Sequence, residues 1–222
     1  MIEPLVERVL KSLPKSDSYT VALSGGVDSV VLLHTLNQIR NLQNIKLKAI
    51  HINHGISSNA LMWQNFCQEL CTKLAIPLSI IQGKITKNGG ESLENNARNF
   101  RYQAFSNESN TIITLAHHQN DQIETMLSQI FRGSDLHNIA SMKTISQKQQ
   151  TIFWRPLLNV TKLQILDYAK QFNLNFVDDE SNLDKKYLRN FIRHEIMPSL
   201  NSWDNHIETK LLNVLKITLN KL

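Results

Sequence analysis

With 222 residues the chain can bury a substantial core and fits one domain with a small appendage. Its net charge of +5 is mildly basic, which suits a nucleic-acid partner without requiring one. The excess is spread along the chain: residues 1–160 carry 15 Lys+Arg against 11 Asp+Glu, and residues 161–222 carry 9 against 8, so any nucleic-acid footprint must come from local patches. No apolar run approaches the ~20 residues that span a bilayer, and the start, Met1-Ile2-Glu3-Pro4, lacks a signal-peptide pattern. Cys67 and Cys71, the only cysteines, are spaced i, i+4 on a predicted helix and read as buried small apolar groups. A disulfide framework and a four-ligand zinc site are excluded. The expectation is a reduced, soluble, cytoplasmic protein with no membrane partner.

Residues 3–12 predict a short amphipathic helix with Pro4 in its first turn, where a missing N–H costs nothing. Thr20-Val21-Ala22-Leu23 is short, apolar and β-prone, a buried strand. Val30, Val31, Leu33 and Leu36 then recur at helical spacing out to Ile39. Ser24-Gly25-Gly26-Val27-Asp28-Ser29 therefore sits at a strand-to-helix turn. Two glycines let the backbone approach a ligand closely. The helix N-terminus presents free N–H groups and a positive dipole end, and Ser24 and Ser29 add hydroxyls. The stretch is neither a Walker A loop nor a Rossmann Gly-x-Gly-x-x-Gly. It resembles the pyrophosphate-binding loop of the PP-loop ATPases, which hold ATP and cut it between the α and β phosphates.

Ile45 to Ile50 predicts a second strand running into a polar loop, His51-Ile52-Asn53-His54-Gly55. In open α/β sheets ligands bind at that edge. His51 and Asn53 are placed either to contact a nucleotide base or ribose, or to cap the next helix. Residues 58–75 predict a helix with Ala60, Trp63, Phe66, Leu70 and Leu74 as core positions, and Pro77 to Ile81 a third strand. Asn88-Gly89-Gly90 reads as a turn. Glu91 to Asn107 reads as a helix with Leu93, Ala97, Phe100 and Ala104 on one face. Arg98 and Arg101 lie on other faces beside Tyr102, either as solvated surface or as contacts to phosphate or RNA.

Thr111 to Leu115 predicts a fourth strand, followed by Ala116-His117-His118-Gln119-Asn120-Asp121-Gln122-Ile123-Glu124-Thr125. Strand, polar loop and helix start repeat the plan of the phosphate loop. Asp121 and Glu124, i and i+3, project from one face of the first helical turn. They can hold Mg²⁺, orient an ammonium group, or simply complement the helix dipole. The helix ends at Phe131-Arg132-Gly133. Residues 144–151 are polar and read as a flexible loop, Trp154 to Leu158 as an extended segment, 161–171 as a helix and 176–182 as a polar connection. A helix over 185–197 has an apolar face of Leu188, Ile192 and Ile196 and a basic face of Lys185, Lys186, Arg189 and Arg193, with Pro198 as its stop. Residues 207–221 predict a last amphipathic helix.

Several stretches agree on one family. They are the phosphate loop, His51 to Gly55, Ala97-Arg98 with Arg101-Tyr102, Ala116 to Thr125 with Arg132-Gly133, and Arg155-Pro156-Leu157-Leu158. Asp179-Glu180-Ser181-Asn182 with Tyr187, Arg189-Asn190, Ile192-Arg193 and Pro198 agrees as well. Together they resemble the tRNA(Ile)-lysidine synthetases, from about the first strand to Pro198. The resemblance implies an α/β, doubly wound, mostly parallel sheet over residues 1–200. Residues 201–222 then begin a helical linker or second domain that is cut short. It implies an ATP-dependent ligase that joins L-lysine to C2 of the first anticodon cytidine of a CAU-anticodon isoleucine tRNA, through an adenylated tRNA. ATP is expected at Ala22, Ser24, Gly25, Gly26, Asp28, Ser29, His51, Asn53, Ala116 and His117, and Mg²⁺ at Asp28 and Asp121. Asp28, Asp121, Glu124 and Arg193 are the expected catalytic residues. Arg98, Arg101, Arg132, Lys185, Lys186, Arg189 and Arg193 are expected on RNA, with the arginine at 193 alternatively on the lysine carboxylate. The chain departs from the family at Asn120, where a second aspartate is common, and at Ile56-Ser57, where Leu-Arg is common. Asp135 and Asn138 stand where glycines often occur. Competing readings are another PP-loop enzyme and a non-catalytic tRNA- or nucleotide-binding module. A thiolating enzyme would want a Cys-x-x-Cys pair, which Cys67 and Cys71 do not form.

Overall fold

The computed structural model describes residues 2–55, 57–83, 93–134 and 142–221. The predicted turn at Asn88–Gly90, the start of the fourth predicted helix at Glu91, and Ile56, Asp135 and Asn138 lie outside them.

The chain alternates strands and helices: β1 Ser18–Ala22, α2 Val27–Gln43, β2 Lys46–Asn53, α3 Ala60–Lys73, β3 Leu78–Gln82, α4 Leu93–Ser106, β4 Ile112–Thr114 and α5 Gln119–Phe131. A helix α1, Pro4–Lys11, precedes them. Glu3 caps it by accepting from the Val6 N–H at 2.9 Å, and its proline occupies the first turn. The hairpin β5 Ile145–Lys148 and β6 Thr151–Trp154 follows, then α6 Lys162–Gln171. The sheet runs β3-β2-β1-β4-β6-β5, parallel except for the β5 edge. It is the expected doubly wound, mostly parallel α/β sheet with a helical C-terminal region. The strand order reverses between β1 and β4, and the crevice at the carboxyl ends of those strands is where such sheets take ligands.

Alternation along the strands divides the core. Tyr19, Val21, Leu47 and Ala49 face a layer made with Val30, Leu33 and Leu36 of α2 and Ile165 and Tyr168 of α6. Ile50, Ile113 and Phe153 face the other side, against Phe105 of α4. Cys67 and Cys71 are the fully buried residues of α3, while Trp63, Phe66, Leu70 and Leu74 are half-buried. Burial pushes the Cys67 thiol up to about 12 and Cys71 to about 11, so both are inert apolar groups. Among the described residues no helix is long and apolar enough to cross a membrane.

Two predicted elements are corrected. Residues 144–151 are not a flexible loop. Ile145–Lys148 pairs antiparallel with Thr151–Trp154, and buried Arg155 ties the strand down by donating to Lys143 O at 3.0 Å and Ser146 Oγ at 2.9 Å. An exposed edge strand needs no apolar pattern, so composition hid it. The 185–197 helix also differs. Residues 180–183 form a 3₁₀ turn, and regular helix begins only with α7, Leu188–Phe191. It widens to a π-helical segment over Ile192–Ile196 and continues as α8, Met197–Trp203, through Pro198. The wide turn bonds Met197 N to Ile192 O, so the run passes the proline that ought to stop it. The last helix, α9 Ile207–Lys221, packs Leu211, Leu212 and Leu215 on Ile123, Met126 and Leu127 of α5.

Trp154, at the end of β6, is fully buried, its ring centroid 5.8 Å from that of Tyr19 on β1. Trp154→Ala is expected to cost roughly 3–5 kcal/mol. Urea denaturation should show this as a lower midpoint at unchanged slope.

Candidate active site

The phosphate loop connects β1 to α2. The Ser29 hydroxyl organises it, accepting from the N–H groups of Ser24 and Gly25 at 3.2 Å each and donating to Gly26 O at 2.9 Å. Ser29 is buried, so the hydroxyl expected to face a ligand works inside the loop. Gly25 has φ +94°, and a Cβ there would sit 2.9 Å from Val177 Cγ2 and 3.3 Å from Cys67 Sγ. Gly25 O accepts from the Val177 N–H at 3.0 Å, so the 174–179 segment lies across the loop. A Cβ on Gly26 meets nothing closer than 3.6 Å, which leaves a face open to an anion at the helix N-terminus.

His51 and Asn53 belong to the end of β2, and neither caps α3. The His51 Nδ1–H donates to Leu23 O at 2.9 Å, holding the strand end that feeds the loop. Burial lowers its pKa, so the ring is neutral and its Nε2 is an acceptor. Asn53 donates to Gln64 Oε1 and accepts from the Gly55 N–H, both at 2.9 Å, which shapes the β2–α3 loop. Ala22 closes β1. Ala116 and His117 follow β4, the parallel neighbour of β1.

His118 ends that connection and is the residue the sequence undervalued. Its Nε2 lies 3.8 Å from Asp28 Oδ1 and 3.6 Å from Asp121 Oδ2, so it stands between the two expected metal ligands. Its backbone N–H donates to Asp121 Oδ2 at 2.8 Å. Burial would push the Asp121 carboxyl up, but His118, Arg189 and His117 outweigh it and hold the pKa below the usual carboxylate range.

Arg189 and Arg193 turn inward. Arg189 Nε donates to Glu124 Oε2 at 2.7 Å, and its Nη2 donates to Asp121 Oδ1. Arg193 Nε donates to Glu124 Oε1 at 2.7 Å and Nη2 to Oε2 at 2.9 Å, a fork-on-fork pair. Burial opposes the Arg193 charge, but Glu124 raises its pKa overall. The predicted basic face therefore does not exist as one surface. Lys185 pairs with Glu195, and Lys186 lies in an exposed turn. The carboxylates at i and i+3 of α5 need cations once buried, and the arginines at i and i+4 of the facing helix are the partners in reach. Arg132 is exposed beyond α5. Arg98 is exposed on α4 and lies 5.0 Å over the Tyr102 ring; Arg101, also exposed, lowers the His54 pKa by its charge.

Asn120 does not face the metal position. Its Oδ1 accepts from Lys162 N and its Nδ2 donates to Glu208 Oε2, both at 3.2 Å, which joins α5 to α6 and α9. An aspartate could not make the second bond. Among the described residues no group of three or more His, Cys, Asp or Glu is arranged to hold a metal ion. Asp28 and Asp121 are the residues that could offer hard oxygen donors to a cation whose shell phosphate oxygens complete, as Mg²⁺ prefers. Both carboxylates are neutralised by protein cations here, Asp28 by Lys162 and Asp121 by Arg189.

A family model described as a PP-loop domain matches residues 2–200. The chain belongs to the PP-loop domain family. It is similar to the tRNA(Ile)-lysidine synthase of Nitrosomonas europaea, 48% identical over 187 residues covering 83% of this chain and 41% of that protein. The tRNA(Ile)-lysidine synthase of Chromobacterium violaceum is 41% identical over 202 residues, covering 90% of this chain and 46% of the relative. The chain thus spans less than half the length of these curated relatives. Among solved structures, the U34-tRNA thiolase of Methanococcus maripaludis superposes with TM-score 0.77 at 18% identity, over 98% of this chain and 79% of that one. That likeness speaks to the PP-loop fold.

Two predictions follow from this electrostatic arrangement. Glu124→Ala leaves both guanidinium groups without their anion. Breaking a buried pair costs ~3–5 kcal/mol, and because both arginines are about a third exposed the loss should sit at or below the low end of that range; thermal and urea melts would read it. His54 and His117 are held down to about 4, chiefly by burial, with nearby arginines contributing. The unfolded chain protonates them near 6.5, so their stabilisation is complete above that pH and declines as pH falls toward 4. His117→Gln should flatten the stability-versus-pH curve between those limits.

Proposed function

We propose that this chain carries the catalytic part of a tRNA(Ile)-lysidine synthetase, which joins the ε-amine of free lysine to C2 of the first anticodon cytidine of a CAU-anticodon isoleucine tRNA. One observation carries the reading. A phosphate loop and a charge cluster suited to an amino acid stand side by side, joined by His118 between Asp28 and Asp121. The names of the relatives point the same way.

ATP binds with its phosphates on the loop of Ser24, Gly25, Gly26 and Ser29, beside Ala22, His51, Asn53, Ala116 and His117. The cytidine C2 oxygen attacks the α-phosphate, and pyrophosphate leaves. Mg²⁺, held by Asp28 and by Asp121 once that carboxylate exchanges Arg189, would supply charge neutralisation to the phosphates. The lysine amine then forms the N–C2 bond as the C2–O bond breaks and AMP departs with the oxygen.

Asp121, Glu124, Arg189 and Arg193 are two anions and two cations, complementary to zwitterionic lysine. Carboxylates receive the ε-ammonium and orient it, and one of them accepts the proton the amine must lose, its ordinary pKa being about 10.4. Arg193 swings to the α-carboxylate. Arg98, Arg101, Arg132 and Lys186 face the RNA, with Lys185 joining them on release from Glu195. Arg189 and Arg193 act on lysine rather than on phosphates.

The test is lysine-dependent pyrophosphate release from ATP with CAU-anticodon isoleucine tRNA, compared with the GAU isoacceptor. Release that ignores lysine, or that treats both tRNAs alike, overturns the assignment. Asp121→Asn keeps an oxygen for the His118 N–H but loses the charge. It should cut single-turnover lysidine formation by about a hundredfold to a thousandfold. Accumulated adenylated tRNA in that variant assigns Asp121 to lysine, and its absence assigns it to the adenylation step.

A further inference from the structure

Lys162 is the first residue of α6, at the positive end of that helix's dipole. A cation is disfavoured there. It is not needed to cap the helix. Thr161 accepts from Gln164 N and Gln164 Oε1 accepts from Thr161 N, both at 3.1 Å, a complete capping box. The lysine ammonium pairs instead with Asp28, whose Oδ1 lies 2.6 Å from Lys162 Nζ.

The surroundings make this more than a surface pair. Both α2 and α6 start at the carboxyl edge of the sheet and run parallel, joined further along by His34 Nδ1 and Gln38 Nε2 to the Tyr168 hydroxyl at 3.0 and 3.2 Å. Their N-termini lie together, with the phosphate loop on one and Lys162 on the other. Asn120 Oδ1 fixes the Lys162 backbone, while the lysine side chain keeps 37% of its surface exposed, free to change partner. The phosphate loop itself contains no lysine or arginine, so a polyphosphate placed on Ser24 to Ser29 would find no cationic side chain within the loop and would face the Asp28 carboxylate.

We infer that Lys162 is the polyphosphate-binding cation of this site: it is stored on Asp28 when the loop is empty and moves to the β- and γ-phosphates of a nucleoside triphosphate when the loop is filled. The exchange frees the Asp28 carboxylate at the moment the phosphates arrive. It also leaves a positive charge on the group that departs as pyrophosphate. The inference rests on the reading of the loop as a nucleotide site and names the residue that discriminates by phosphate count.

The experiment is calorimetric titration of the whole 222-residue chain and its variants with AMP, ATP and inorganic pyrophosphate, in EDTA so that no metal bridges the groups. Lys162→Met should weaken ATP and pyrophosphate about ten- to hundredfold, as one charge-assisted hydrogen bond is worth, and leave AMP unchanged. Lys162→Arg should restore ATP binding. If Lys162→Met does not fold, judged by its thermal melt, Lys162→Gln carries the same expectation. Equal losses for AMP and ATP would mean that Lys162 only positions Asp28 and the loop, and unchanged ATP affinity would mean that it touches neither; either result overturns the inference while leaving the nucleotide site intact. Wild-type protein that binds no ATP removes the nucleotide site and the inference together.

Discussion

Glu124 is shielded from water and accepts three hydrogen bonds from two guanidinium groups. Much of the site depends on that contact. A carboxylate buried alone would protonate or unfold its surroundings. With Arg189 and Arg193 in place it is fully paired, and it pins the 188–203 helical run against α5. Asp121 shares Arg189, so the same contact places the second carboxylate beside His118 and, through it, beside Asp28. The apolar seam of Ile123, Met126, Leu127, Ile192 and Met197 holds the two helices together beside these ionic bonds.

The phosphate loop is built on the opposite principle. It is stabilised by short-range hydrogen bonds that an anion can replace. The Ser29 hydroxyl gathers the N–H groups of Ser24 and Gly25, and Val177 closes over Gly25, where no side chain fits. The loop is therefore preorganised without a ligand. Catalysis that relies on electrostatics favours such a site, because the dipoles need not be reorganised when charge develops. Both halves balance charge internally, Asp28 with Lys162 and Asp121 with Arg189. A charged ligand that exchanged partners with these pairs would avoid the cost of leaving a bare ion desolvated.

The sequence by itself determined the class of fold, and it picked out the phosphate loop and the Asp121–Glu124 pair. Strand, glycine-rich turn and helix could be read at residues 20–39 because strand and helix periods differ and because the glycines punctuate them. Asp121 and Glu124 were legible as a pair because three residues on a helix is one face. Two features stayed hidden. The β5–β6 hairpin has a polar edge strand, which carries no alternation to detect. The partners of the carboxylates were hidden for another reason: a run of Lys185, Lys186, Arg189 and Arg193 looks like one basic surface when every residue is assumed to face solvent. Tertiary structure decided that the first two stay outside and the last two turn inward onto buried anions 65 to 69 residues earlier in the chain. It also decided the partners of His118, Lys162 and Asn120. Those depend on which strands are neighbours, and β1 lies beside β4 only because the sheet order reverses there. Local pattern reports which face of an element is polar; only packing determines which charge that face meets.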